Sequence, residues 1–190
     1  MEAAEQEILY TGKIFEIVRT KKKVRDKTIV FESARRAPGV RLLILKGNNL
    51  LISKEFRYEL KGYDYRLAGG KVFDTLEEYD KASKKEILKH AELAARKECE
   101  EETGLRVDRI QLLEKTHAGA TVDWDLYYFI IDEFTENGNG QKLEEGEIIE
   151  TVWKSFDEVR DMCLNRQIKE DRSVGVLLRF FLNKNNRSKE

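Results

Sequence analysis

The sequence contains a single proline, Pro38, and only two cysteines, Cys99 and Cys163, among its 190 residues. Two cysteines without metal-type spacing exclude a disulfide framework and a cysteine-based zinc site, so we expect them to be buried thiols in a reducing cytosol. The sequence also has no proline-rich linker and no repeats, and its length predicts one domain.

The sequence has no excess of either charge, with 35 basic and 36 acidic residues. This balance argues against a general nucleic-acid or membrane-surface binder. No apolar run approaches the roughly 18 residues of a membrane span, and the acidic start, Met1–Glu7, lacks the apolar core of a signal peptide. We therefore expect a cytoplasmic protein whose 41% hydrophobic residues form a substantial core.

Stretches of β-branched and aromatic residues predict the strands. At the N-terminus, Lys13–Arg19 and Lys27–Arg35 are expected to pair around a turn at Lys21–Asp26, while Gly47-Asn48-Asn49 is a hairpin turn between the next two strands. The predicted strands of the main sheet are Val40–Lys46, Leu50–Arg57, Val107–Lys115, Trp124–Phe134 and Ile149–Lys154.

Three segments predict helices outside the central one. Asp74–His90 has helical spacing and a capping signature at Thr75–Glu78, and it is expected to form a helix of roughly three turns. Whether that helix continues into the next one stays open. Ser155–Glu158 begins a further helix, and Asp171–Asn183 is amphipathic.

The run Ala91–Leu105 predicts the last turns of a helix that stops at Gly104. Three carboxylates share one arc of roughly 100° on it, near the end where the helix dipole disfavours negative charge; they are Glu98, Glu101 and Glu102. A separate apolar stripe can pack on a sheet, which would turn the carboxylates away from the buried face; it comprises Ala91, Ala95 and Cys99. Such crowding indicates either a solvated surface or a bound cation.

The glycine turn upstream, Leu67-Ala68-Gly69-Gly70-Lys71, and the segment Lys97-Glu98-Cys99-Glu100-Glu101-Glu102-Thr103-Gly104-Leu105 together resemble the Nudix box. In that box a glycine precedes Arg-Glu-aliphatic-any-Glu-Glu-any-Gly-aliphatic. Two features depart from it. Lys97 stands in place of the arginine, and 26 residues separate it from Gly70, about 13 more than the box has. The first glutamate of the box would fall on Lys89, with Glu86 or Glu92 as substitutes.

The resemblance implies an α/β fold, the Nudix α/β/α sandwich around a mixed β-sheet, with an N-terminal antiparallel hairpin as an extension. On this basis residues 1–37 form the extension, residues 38–190 the Nudix domain, and residues 74–90 a helical insertion. The branch that acts on ADP-ribose and nucleotide sugars is typically homodimeric through its N-terminal strands. We therefore expect a homodimer.

The resemblance also implies a Mg²⁺ site, with Mn²⁺ as a possible replacement. Glu98 and Glu102 would be the principal ligands, Glu101 a further ligand or base, and the carbonyl of Gly69 a backbone ligand. Lys97 would orient a carboxylate or neutralise charge.

Substrate and base assignments follow from the same resemblance. Arg57 would hold the diphosphate because a guanidinium binds phosphate oxygens in pairs, and Arg66 and Gly70 would lie beside it. In the loop before the last strand Glu147 is the candidate base, with Glu144 or Glu145 as alternatives.

The implied activity is a Mg²⁺-dependent pyrophosphohydrolase that cleaves a nucleoside diphosphate linked to X, with ADP-ribose or a nucleotide sugar as the leading substrate class. Ala118 stands where ADP-ribose enzymes often have proline, and His117 is either a phosphate contact or incidental. Two alternatives stay open: a nucleoside triphosphate or RNA-cap pyrophosphohydrolase, and a Nudix-fold nucleotide-binding module without hydrolysis.

Overall fold

The computed structural model describes residues 5–187, with side chains to residue 184, so the first residues of the acidic N-terminus, Met1–Ala4, lie outside it. Within this range the strands are β1 (Glu5–Thr11), β2 (Glu16–Val24), β3 (Lys27–Arg35), β4 (Gly39–Lys46), β5 (Asn49–Arg57), β6 (Gly62–Arg66), β7 (Leu105–His117), β8 (Val122–Asp123), β9 (Asp125–Glu136) and β10 (Ile149–Ser155). The helices are α1 (Leu76–Lys81), α2 (Lys84–Thr103), α3 (Phe156–Leu164) and α4 (Asp171–Arg187).

The main sheet has the order β10-β5-β4-β9-β7, with β6 paired to β5. The pair β4 and β9 is parallel and the other pairs are antiparallel, so the sheet is mixed. Its middle strand β4 is buried from Gly39 to Leu45 because helices cover both of its faces. The predicted α/β/α sandwich is therefore confirmed.

Successive residues of β4 face opposite layers. Leu42 and Ile44 pack with the alanine stripe of α2 in one core cluster, while Leu43 and Leu45 pack with residues of α3 and α4 in the other. The stripe itself is fully buried: Ala91, Ala95 and Cys99. This burial fixes the rotation of α2 and thereby the direction of its carboxylates.

The predicted N-terminal hairpin is present as β2 and β3, which pair antiparallel from Glu16–Arg35 to Val24–Lys27. Strand β2 extends through most of the predicted turn, and the chain reverses at Arg25, whose φ is 55°. Strand β1, which pairs with β2, was not predicted from the sequence. The extension is therefore a separate sheet, ordered β1-β2-β3-β8.

The prediction of a single helix over Asp74–His90 is wrong, because the segment contains α1 and the start of α2. Ala82 is extended, and Ser83 caps α2 by a reciprocal pair of hydrogen bonds with Glu86. From there α2 runs without interruption to Thr103, and Gly104 ends it in the left-handed region at φ 71°. The helices predicted from Ser155 and Asp171 are confirmed.

Among the described residues, none of the helices has the length and apolar character needed to cross a membrane.

Candidate active site

A cavity of about 380 Å³ opens between the glycine turn, the C-terminal half of α2, strands β5 and β6, and the loop before β10. Its lining is mostly charged. Of the described residues, seven carboxylates face it: Glu55, Glu98, Glu101, Glu102, Glu144, Glu147 and Glu170. Five basic side chains face it as well: Arg36, Arg41, Arg57, Arg66 and Lys71. The cavity therefore carries an excess of negative charge.

The glycine turn forms one wall by lying directly on β4. The carbonyls of Ala68 and Gly70 accept hydrogen bonds from Leu42 and Val40, each at 2.9 Å. Gly69 lies between them at φ 143°, and a Cβ there would be 2.2 Å from the carbonyl oxygen of Val40. This close approach requires glycine. Among the described residues, the carbonyl of Gly69 has no hydrogen-bond donor.

Glu102 is held against this turn. The amide of Gly69 donates to its carboxylate at 3.0 Å, and the residue is only 8% exposed. Burial first, and then the charge of Glu98, raise the pKa of Glu102 to about 8. The expectation that the carboxylates turn away from the buried face is thus wrong for Glu102, because the glycine turn covers it.

Glu98 lies one helical turn before Glu102 and rests on Gly70. A Cβ on Gly70 would be 2.0 Å from an oxygen of the Glu98 carboxylate, so the absence of a side chain makes room for it. Burial first, and then the charge of Glu101, raise the pKa of Glu98 to about 7. The protein alone therefore disfavours the ionised form of both carboxylates, which a bound cation would favour.

Glu101 also faces the cavity, and Lys97 orients it through an ion pair of 3.0 Å across one turn of the helix. Lys97 itself is exposed and lines the neighbouring cavity. The lysine in place of the box arginine thus contacts the acidic cluster through Glu101.

The opposite wall contains two guanidiniums joined by one carboxylate. Arg57 and Arg66 bind the two oxygens of Glu55 at 2.7 and 2.9 Å. Burial alone would raise the pKa of Glu55, but the hydrogen bonds and charges of both arginines outweigh it and lower the pKa. Glu55 was not predicted as a site residue, although residues i and i+2 of a strand share a face, which places it beside Arg57.

The loop before β10 brings two of its three candidate bases to the cavity. Glu147 and Glu144 line it, and the carboxylate of Glu147 accepts a hydrogen bond from the amide of Glu144 at 2.8 Å. Glu145 is exposed and does not contribute to the lining within the described residues.

A largely buried ion pair in the cavity lining was not predicted. Arg41 binds Glu170 through two hydrogen bonds of 2.8 and 2.9 Å, and Ser173 donates to the same carboxylate at 2.5 Å. Arg41 holds the pKa of Glu170 at about 2, although burial works in the other direction. Because 129 residues separate the pair, no local sequence pattern indicates it.

Arg36 and Trp124 line the same cavity and were also missed. The guanidinium of Arg36 lies 4.3 Å from the centre of the Trp124 ring. By contrast, His117 ends β7 and bonds to Asp125 at 2.9 Å, away from the lining residues. This contact favours the incidental interpretation of His117.

The donor set of the acidic wall fits a hard divalent cation, since it offers carboxylate oxygens and a backbone carbonyl and little opposing charge. In the part of the chain that the structure describes, no three His, Cys, Asp or Glu side chains already converge on one metal position. Ligands other than side chains would therefore have to complete the coordination of such an ion.

Comparison with known proteins adds two findings. A family model described as the NUDIX domain matches residues 35–174, whereas a comparison with curated proteins found no match. Among solved structures 174 chains match. One is a crystal structure described as an ADP compounds hydrolase, with a TM-score of 0.70 and 18% sequence identity, covering 97% of this chain and 96% of that chain. At this identity the likeness shows the fold alone.

Proposed function

The chain belongs to the Nudix family and is a Nudix hydrolase, and from this premise we propose that it is a Mg²⁺-dependent pyrophosphohydrolase. Its substrate would be a nucleoside diphosphate linked to a second group, X, and the products a nucleoside monophosphate and phospho-X. ADP-ribose or a nucleotide sugar is the leading substrate class.

One observation carries the proposal: a buried carboxylate, Glu102, and a half-buried one, Glu98, lie against a glycine turn, and two arginines line the same cavity. Glu98 and Glu102 keep raised pKa values there, which is unfavourable for folding unless a cation compensates for it. Arg57 and Arg66 stand on the other side. Opposed cation and anion sites are what a diphosphate with bound Mg²⁺ needs.

The roles of the metal-side residues follow from their placement. Glu98 and Glu102 would hold Mg²⁺ together with the carbonyl of Gly69, while water and phosphate oxygens complete its preferred six-fold coordination. When bound, the ion neutralises phosphate charge and lowers the pKa of a coordinated water. Mn²⁺ accepts the same oxygen donors.

The remaining residues bind the substrate and move the proton. Arg57 and Arg66 would share their guanidinium hydrogens between Glu55 and the diphosphate, which fixes the scissile linkage against the acidic wall. Glu147 is the proposed base that accepts the proton of the attacking water, with Glu144 beside it. Glu101, oriented by Lys97, is the second candidate for that role or a further metal ligand.

The substrate class is supported by the arginine pair, which suits a diphosphate, and by the fold of the ADP compounds hydrolase. Enzymes with the same fold act on other substrates as well, so a hydrolysis assay has to distinguish ADP-ribose from nucleotide sugars.

The N-terminal sheet supports the proposal of a homodimer in which residues 1–37 form the contact. Eight large hydrophobic side chains are exposed between β1 and β3: Ile8, Leu9, Tyr10, Ile14, Val24, Ile29, Val30 and Phe31. Concentrated apolar exposure of this kind marks an interaction surface.

The test is hydrolysis of a substrate panel with Mg²⁺: ADP-ribose, UDP- and GDP-sugars, dinucleoside polyphosphates and nucleoside triphosphates. Glu102→Gln removes the buried charge, and Glu100→Gln is the matched control because Glu100 lies on the same helix outside the cavity lining. Release of a monophosphate from a diphosphate compound should be lost in Glu102→Gln and kept in Glu100→Gln.

Other outcomes separate the alternatives. Turnover of triphosphates alone would identify the triphosphate or cap hydrolase, and binding without turnover would identify a binding module. Turnover that Glu102→Gln leaves unchanged would remove the acidic wall from the mechanism.

A further inference from the structure

Helix α1 has little hydrophobic anchoring of its own. The structure describes all six of its residues, and none of them is buried. The ring of Tyr79 lies 5.7 Å from that of Phe73 and gives the helix an aromatic contact with the domain. So short a helix is marginal without tertiary contacts. Its position therefore depends strongly on the polar contacts of its side chains.

Arg35, the last residue of β3, supplies one of these contacts. Its guanidinium donates to both carboxylate oxygens of Asp80 in α1, at 2.7 and 2.9 Å. A bidentate pair fixes orientation as well as distance. The Nε of Arg35 donates to Glu16 of β2 at 2.5 Å, and Glu16 is only 5% exposed. Arg35 is thus held in the N-terminal sheet, and α1 is bound to that sheet through it.

Helix α1 in turn holds the segment that joins it to the glycine turn. The carboxylate of Glu78 in α1 accepts a hydrogen bond from the amide of Asp74 at 3.2 Å. At the start of the segment the amide of Val72 donates to the carbonyl of Pro38 at 3.0 Å. Residues 72–74 are therefore fixed at one end by the chain that follows β3 and at the other end by α1.

Asp74 connects this segment to the active-site cavity through Lys71. The two side chains form an ion pair of 2.6 Å, and Lys71 lines the cavity together with Glu98 and Glu144. The side chain of Lys71 is 57% exposed, and a lysine has a flexible four-carbon stem. The pair with Asp74 therefore decides where the ammonium lies.

We propose that Arg35 and Asp80 are positioning residues of the active site, which act through α1 to hold the ammonium of Lys71 towards the substrate phosphates. The inference rests on the proposed function and adds to it. A cation at this place reduces the repulsion between the phosphates and Glu98. The contacts from Arg35 to Lys71 form a continuous series, and a measured coupling between Asp80 and Lys71 is the evidence that such a series requires.

Asp80→Asn interrupts this series with little effect on the fold. The side chain of Asp80 is 47% exposed, and the pair between Arg35 and Glu16 remains in the variant. Substitution of Arg35 would instead leave Glu16 buried without its partner, which costs stability. Glu77→Gln is the matched control, because Glu77 lies in the same helix and binds the exposed Lys81.

Hydrogen exchange of α1 tests its anchoring without any substrate. The amides of Tyr79 and Ala82 are bonded to the carbonyls of Thr75 and Tyr79, so their exchange rates measure the opening of the helix. Asp80→Asn should raise these rates at least about threefold, and Glu77→Gln should leave them within about twofold of the wild type. Unchanged rates in Asp80→Asn would overturn the role of Arg35 as an anchor.

Steady-state kinetics with Mg²⁺ tests the consequence for the active site, with ADP-ribose or the panel compound that is hydrolysed in its place. Lys71→Ala should raise KM about tenfold, because it removes a charge-assisted contact to phosphate. Asp80→Asn should raise KM about threefold or more, with kcat within about twofold of the wild type. The value of kcat is kept because α2 and the glycine turn still hold Glu98 and Glu102. An unchanged KM, or a loss confined to kcat, would overturn the inference.

The double variant separates the positioning of Lys71 from a general loosening of the site. If Asp80 acts through Lys71, then Asp80→Asn should change KM by less than about twofold in a protein that already carries Lys71→Ala. Effects that multiply in full would show that Asp80 acts by another route, and they would overturn the inference.

The proposed function and this inference can fail separately. Absent hydrolysis of every panel compound would count against the proposed function alone. The Kd of ADP-ribose without Mg²⁺, measured by calorimetry, would then replace KM in the wild type, both single variants and the double variant. Weaker binding in both single variants without a further loss in the double variant supports the inference, and equal affinities in all four proteins overturn it.

Discussion

Glu102 destabilises the metal-free fold at the position where the candidate site needs a carboxylate. The carboxylate is buried, receives one hydrogen bond from Gly69, and lies near the charge of Glu98. Its pKa is raised to about 8, so the protonated form is favoured in the folded state. A buried carboxylate of this kind costs stability in the metal-free protein, which is typical of a residue whose role is to bind a ligand.

Glu102→Gln should therefore stabilise the metal-free protein at pH 8 by about 2 kcal/mol, because it removes one of two close buried charges and keeps an acceptor for Gly69. The sign follows from the raised pKa: the carboxylate's contribution is most favourable below pH 4.5 and is lost as the pH rises through about 8. Urea unfolding measures the change.

Glu100→Gln serves as the control, with a change of less than about 0.5 kcal/mol. In the wild type Mg²⁺ should raise the melting temperature, and in Glu102→Gln the increase should be smaller. A variant that is less stable than the wild type at pH 8 would contradict this account.

Gly69 and Gly70 are adjacent, and a side chain would be obstructed by a different group at each position. A Cβ on Gly69 meets backbone, the carbonyl of Val40, at a positive φ. The atoms nearest to a Cβ on Gly70 belong to the carboxylate of the Glu98 side chain. Substitution should damage the fold at the first position and the site at the second.

Gly70→Ala should consequently displace Glu98 and lower kcat at least tenfold, with the melting temperature within about 3 °C of the wild type. Gly69→Ala should cost about 3 kcal/mol or more in unfolding free energy, since strain and a backbone clash combine. Full activity in Gly70→Ala would show that the position of Glu98 is unimportant.

At the scale of elements, the Arg41–Glu170 pair joins β4 to the start of α4 beneath the cavity. Removing one partner of a buried pair leaves an uncompensated charge. Glu170→Gln should therefore destabilise the protein at pH 7 by about 3 kcal/mol.

The pH dependence of this loss has a defined sign. The pKa of Glu170 is lowered from 4.5 to about 2, so its stabilisation is complete above about pH 5 and disappears as the pH falls towards 2. Unfolding of wild type and variant across this range should show a difference that shrinks in acid. Glu150→Gln, which breaks only the exposed pair with Lys54, should cost less than about 1 kcal/mol. A difference for Glu170→Gln that is independent of pH would contradict the assignment.

Elements with local signals could be predicted from sequence. Gly104 ends α2 and Ser155 caps α3 because both effects act within a few residues. The break at Ala82–Ser83 was missed although Ser83 and Glu86 form a capping box, since helical spacing on both sides suggested continuity. The common arc of Glu98, Glu101 and Glu102 on α2 was predicted from their spacing, and all three line one cavity.

Other parts of the site needed the folded chain. Glu170 reaches Arg41 only through the packing of α4, and Trp124 meets Arg36 only where β8 pairs with the end of β3. The burial of Glu102 depends on the glycine turn, 33 residues away. Contacts at such separations depend on tertiary structure and leave no periodic pattern.

For the whole molecule, the N-terminal sheet and α1 are joined on one side of the domain. Arg35 at the end of β3 binds both oxygens of Asp80 in α1 at 2.7 and 2.9 Å. It also bonds to Glu16 of β2. The N-terminal extension and helix α1 are thus linked through one guanidinium.

The proposed dimer contact depends on the exposed apolar side chains of the N-terminal extension. Phe31 is 50% exposed on β3, in the apolar region of the extension, and a charge there would be buried against the second copy at a high free-energy cost. Phe31→Asp should convert a dimer into a monomer, which sedimentation equilibrium at micromolar concentration measures. Thr28→Asp is the control for the face that carries Ile29 and Phe31, because Thr28 is exposed on the opposite face of the same strand. It should remain dimeric. A monomeric wild type, or a dimeric Phe31→Asp protein, would exclude the face that carries Ile29 and Phe31 as the contact.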